Sequence, residues 1–101
     1  SHGHAEEDMK LRELREQKVE AARLLESTES ALKTDADLLN AEERSQIDAL
    51  IEDLVRVKEQ DDTEAIKKAI NALSKGTEDF AARRMNRTIL AALQGKSVYE
   101  V

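Results

Sequence analysis

Residues 21–39 read AARLLESTESALKTDADLL, and their apolar spacing decides the fold. Ala21, Leu24, Leu25, Thr28, Ala31, Leu32, Leu38 and Leu39 recur at i, i+3, i+4 and i+7. That periodicity puts them on one broad stripe of a helix, wide enough to be covered by two neighbours. Working backwards, nothing interrupts the helix as far as Ala5, so it runs from about Ala5 to Leu38. At 1.5 Å per residue that is roughly 50 Å. The stripe thins between Ala5 and Glu20 to Met9, Leu11, Leu14 and Val19, set in a dense run of charges. This half buries little by itself and is expected to project from the fold as an arm. Its charges suit i,i+4 pairing, as in Asp8 with Arg12.

Working forwards, "NAEE" (residues 40–43) opens a second helix, with Asn40 as cap and Glu43 completing a capping box. Its stripe is Ile47, Leu50, Ile51, Leu54 and Val55, and Lys58 closes it. After "QDDT" (residues 60–63) a third helix begins, capped by Asp61 or Asp62, with acidic residues at its positive end. Its stripe is Ile66, Ala69, Ile70, Leu73, Thr77, Phe80 and Ala81, continuing to Met85, Ile89 and Ala92. Gly76 is a soft spot in that helix, and Gly95 is its expected stop. The connections are short, so neighbouring helices run antiparallel. The expected fold is all-α, with a long projecting N-terminal helix. The distal half of that helix packs with two further antiparallel helices into a three-helix bundle. Residues 5–20 form the arm and 21–101 the bundle; Ser1–His4 read as a vector remnant or a cut edge. The expected core is Leu25, Leu32, Ile47, Leu50, Ile51, Leu54, Ile66, Ile70, Leu73 and Phe80.

Composition supports this reading and removes several function classes. The 101 residues contain no Pro, Cys or Trp, three Gly and 2% aromatics, against 38% charged residues. Such a mix builds helices rather than strands. Without cysteine there is no disulfide framework or thiolate chemistry, as suits a reducing cytosol. No apolar run approaches membrane-spanning length. No phosphate-cradling glycine loop or nucleophile elbow is present, and His2 and His4 alone make no persuasive metal site. The sequence therefore predicts no catalytic, cofactor-binding or metal-binding residue.

The net charge is −6, yet Phe80–Val98 carries Arg83, Arg84, Arg87 and Lys96 without one acidic residue. The simplest reading is a helix C-terminus whose cations suit the helix dipole, with Leu90 an ordinary exposed leucine. A docking surface for a partner is the functional alternative. Nucleic-acid binding is disfavoured, because stacking aromatics and net positive charge are missing.

The order of these segments resembles a known family. "AEEDMKLREL" (5–14) followed by "LLEST" (24–28) is similar to the lid helix of the seventy-kilodalton heat-shock chaperones. "DDTEAIKKAINAL" (61–73) looks like their next lid segment. "EQKVEAARLLES" (16–27) and "FAARRMNRTILAALQGKSVYEV" (80–101) resemble the bacterial branch devoted to iron–sulfur cluster assembly, including its short SVxEV-like tail. The resemblance implies a helical lid that covers a β-sandwich peptide-binding domain and slows substrate release. It also implies ATP hydrolysis on a separate domain, and partnership with an iron–sulfur scaffold protein and a J-type co-chaperone in the cytoplasm. Met9, Leu11, Leu14 and Lys18 would face the substrate domain. The family's Asp and His latch positions fall on Ala22 and Glu26, so that latch does not carry over. A free-standing helical adaptor, dimerising through residues 5–20, is the alternative reading. Lys18 interrupts the Leu11–Leu25 seam such a dimer would use.

Overall fold

A computed structural model describes the backbone of residues 2–100 and the side chains of residues 7–94. Four α-helices and one 3₁₀ turn follow one another: α1 His2–Thr34, the 3₁₀ turn Ala36–Leu38, α2 Ala41–Lys58, α3 Thr63–Gly76 and α4 Glu78–Glu100. The described residues form an all-α fold whose long first helix packs against α2 and α3. The opening Ser1–His4 and closing Ser97–Val101 motifs lie outside the described side chains.

The core forms where the stripes meet. Ala21, Leu25, Ala31 and Leu32 of α1 are buried with Ile47, Leu54 and Val57 of α2 and with Ile66, Ala69 and Leu73 of α3. Phe80 of α4 completes it. Leu50, Ile51 and Ile70 are half-buried at its rim, as are Leu24, Leu38 and Leu39. Thr28 shares the buried face of α1.

The helix ends follow backbone hydrogen-bonding needs. The N–H groups of a first turn lack intrahelical acceptors, and polar side chains supply them. Asn40 Oδ1 accepts the Glu43 N–H at 2.7 Å, and the Asn40 N–H donates to Glu43 Oε1 at 3.0 Å, closing the capping box. Asp62, rather than Asp61, caps α3 by accepting the Ala65 N–H at 3.2 Å.

Several sequence expectations are corrected. The first α-helix stops at Thr34 rather than Leu38. Its chain tightens into the 3₁₀ turn, where Leu38 N–H donates to Asp35 O at 3.0 Å. The third helix is two helices. Thr77 leaves helical geometry at φ −108°, ψ 5°, and its hydroxyl donates to the carbonyl of Leu73 at 2.9 Å. Gly76, with low helix propensity, and β-branched Thr77 together make the weak point. Past Phe80 the stripe of α4 leaves the core, with Met85 65% and Ile89 49% exposed, and on α2 Val55 is 44% exposed. Gly95 does not end α4, which continues to Glu100.

Candidate functional site

Two regions carry side chains that the core does not consume. The first is the N-terminal part of α1. Met9 is 70% exposed and Leu11 57%, while Leu14 is packed against the core. Lys18 is half-buried, and its Nζ donates to Asp61 Oδ1 at 3.0 Å. Lys67 Nζ donates to Glu13 Oε1 at 2.6 Å, and this partner raises the Lys67 pKa. The arm is therefore anchored to the α2–α3 junction as far out as Glu13, well before Ala21. Glu13 and Lys67 were not singled out from sequence, and Asp61 only as a candidate helix cap, because long-range pairing between exposed charges leaves no periodic trace. Among the described residues, Asp8 and Arg12 make no ion pair with each other. A groove lies between α1 and the start of α3, lined by Lys10, Leu11, Leu14, Asp61 and Thr63 among others. Ala22 and Glu26 are exposed on α1.

The second region is the elbow between α1 and α2, where the basic segment finds its partners. Arg83 grips Glu43 with both terminal nitrogens, at 2.9 and 2.8 Å, and donates to the carbonyl of Leu38 at 2.9 Å. Arg84 Nε donates to Asp35 Oδ2 at 2.8 Å, and its guanidinium lies 5.9 Å from the Phe80 ring centroid. Arg87 donates to Asp35 Oδ1 at 3.0 Å and also grips Asp37. Asp35 is buried, so these cations compensate a carboxylate that would otherwise be poorly solvated.

The electrostatics follow from that geometry. Hydrogen bonding to Arg83, then to the Asn40 N–H, holds Glu43 down at about 2. Arg84 chiefly, with Arg87, lowers Asp35 against the opposing effect of burial, and Arg87 lowers Asp37. The dipole reading of the arginines is thereby corrected. They lie in the first half of α4, where the dipole gives them no advantage, and the elbow carboxylates hold them instead. Their signal was present in the sequence as the acidic set Asp35, Asp37 and Glu43 facing an acid-free segment. Leu90, 59% exposed, lines a groove on this side with Leu38, Asn86 and Ala91.

Among the described residues, no group of three or more His, Asp or Glu is placed to hold a metal, and no helix is long and apolar enough to cross a membrane. The grooves are open and bordered by paired charges. The arrangement suits holding surfaces together.

Comparison with known proteins is consistent across the chain. The sequence model of the Hsp70 protein family matches residues 1–86. The chain is 52% identical over 97 residues to the chaperone protein HscA homolog of Cupriavidus metallidurans, covering 96% of this chain and 16% of that protein. It is 52% identical over all 101 residues to the chaperone protein HscA of Photorhabdus laumondii, again 16% of that protein. Over 98 residues it is 50% identical to the HscA homolog of Shewanella oneidensis, 97% of this chain and 16% of the relative. The chain thus spans about one-sixth of the length of these relatives.

Proposed function

This chain belongs to the Hsp70 protein family, and we propose that it serves as the helical lid of an HscA-type chaperone. In this reading α1 reaches over a β-sandwich peptide-binding domain, and the bundle of α1, α2 and α3 caps its far end. The observation that carries the reading is α1 itself. It continues past the last anchor at Glu13 and presents Met9 and Leu11 to solvent. A helix that carries apolar side chains beyond its own bundle has a use for them when a second surface lies beneath.

Catalysis has no place on these residues in this reading. ATP hydrolysis belongs to another domain of the full-length protein, and the lid alters only the rate of substrate escape. The cellular role follows the HscA-type resemblance: maturation of iron–sulfur proteins in the cytoplasm, with a scaffold protein and a J-type co-chaperone as partners. Lid closure without an acidic–His pair at Ala22 and Glu26 would rest on the arm contacts.

The test uses the full-length chaperone and a fluorescent peptide substrate. Met9→Gln with Leu11→Gln shifts the lid toward its open state and is expected to speed peptide dissociation. The same pair leaves the stability of the 101-residue chain nearly unchanged, since both side chains are exposed. Leu14 is excluded from the pair, because it packs against the bundle. Unchanged peptide release, with the nucleotide-bound state held fixed, would defeat the lid reading. Concentration-dependent dimerisation of the 101-residue chain through residues 5–20 would favour the adaptor instead.

A further inference from the structure

Helix α4 is attached to the fold by different means from the other three. Helices α1, α2 and α3 each contribute three or more buried apolar side chains. Among its described residues α4 contributes only Phe80, while Met85, Ile89 and Leu90 are all about half exposed or more. Among its described residues, three arginines supply further attachments. Arg83 pairs with Glu43 at 2.8 Å, Arg84 with Asp35 at 2.8 Å, and Arg87 with Asp35 at 3.0 Å and with Asp37. All of the acceptors sit on the α1–α2 elbow or the first turn of α2. The only backbone link to α3 is Thr77, the single non-helical residue between two helices.

We propose that α4 is a charge-held strut that undocks from the bundle as one unit about Thr77 while α1, α2 and α3 stay folded, with ionic strength setting the balance. Local opening costs what its broken contacts are worth, and among the described residues the side-chain contacts named here are one aromatic ring, a cluster of ion pairs and the Arg83 hydrogen bond to the Leu38 carbonyl. The arginine side chains remain about 40% exposed, so mobile ions reach them and screen the pairs. The Phe80 contact is apolar and lacks that sensitivity. Asp35 loses its cations on undocking, but departure of α4 also opens it to water, so no lone charge is left dry. Thr77 accommodates the swing because its φ and ψ are already outside the helical range, and once undocked α4 is a lone helix, marginal in water, whose amides then open and exchange.

Residue-resolved amide exchange on the 101-residue chain tests this at low and at about 0.5 M NaCl. The amides of residues 82–86 should share one opening event. Added salt should speed their exchange by about fivefold, in keeping with several partly exposed pairs, while those of Leu54 and Leu73 are unmoved. Arg84→Gln with Arg87→Gln should reproduce the fast exchange at low salt and flatten the salt response. Phe80→Leu should speed exchange at every salt concentration and leave the salt response in place. Exchange of residues 82–86 in step with Leu54 and Leu73 would overturn the proposal, making α4 part of the main cooperative unit. A smooth gradient of exchange from Gln94 back to Phe80 would overturn it too, since that is fraying rather than undocking.

Discussion

Leu54 and Val55 are adjacent on α2, and the fold treats them oppositely: Leu54 is fully buried and Val55 is 44% exposed. Truncating each to alanine therefore tests the register of the bundle. Leu54→Ala removes three carbons from a closed site. At about 0.8 kcal/mol per buried methylene the lost transfer energy is about 2.4 kcal/mol, and the cavity left behind brings the total to about 3–4 kcal/mol. Val55→Ala removes two carbons that are roughly half in water, a loss of about 0.8 kcal/mol. The better helix propensity of alanine returns about 0.5 kcal/mol, leaving about 0.3 kcal/mol. A domain of this size has a total stability of about 5–15 kcal/mol, so only the first change is large. Urea unfolding followed by far-ultraviolet circular dichroism reads both. With a slope of about 1.5 kcal/mol per molar, Leu54→Ala should lower the midpoint by about 2 M and Val55→Ala by a few tenths at most. Equal shifts for the two variants, or a shift below about 0.7 M for Leu54→Ala, would refute the assigned faces of α2.

Acid should weaken the elbow in a defined window. Glu43 is held at about 2 in the folded chain and Asp35 is lowered as well, so their contribution is complete above the ordinary carboxylate range and fades as pH falls from about 4.5 towards 2. Glu43→Gln should shrink the stability lost in that interval, measured by urea midpoints at pH 6, 4 and 3; an unchanged pH slope would contradict the Arg83 pairing. Gly76 makes a third case, because a methyl group there would run into Leu50 Cδ1. Gly76→Ala should therefore be more favourable in a Leu50→Ala background than in the parent chain, by up to about 1 kcal/mol in a double-mutant cycle, and additive effects would show that the two residues do not compete for space.

The parts of the fold that were legible in the sequence are those written by local rules. Burial of Ala21, Leu25 and Leu32 follows from the 3.6-residue period, and the caps at Asn40 and Asp62 follow from the orphan N–H groups of a first turn. The break at Thr77 was hidden because Ile70, Leu73, Thr77 and Phe80 keep helical spacing across it. Periodicity records which residues could share a face; it carries no sign that one residue between them has left the helix. The anchoring of Glu13 and Lys18 was hidden for a different reason. Each partner lies more than forty positions away, and exposed lysines and carboxylates are common enough that their pairing is fixed only by the packed geometry.

The chain measures 71 × 32 × 17 Å, and much of that length is α1. Mechanically α1 is a lever. Its fulcrum is the junction where Glu13 meets Lys67 and Lys18 meets Asp61. From Glu13 back to His2 the rod extends about 16 Å, at 1.5 Å per residue. A tilt of about 10° at the fulcrum moves the tip by about 3 Å, while a separation of only 0.5–1 Å already forfeits a quarter to a half of a dispersion contact. Small adjustments of two exposed ion pairs are thus amplified at the far end into the difference between touching a surface and standing clear of it.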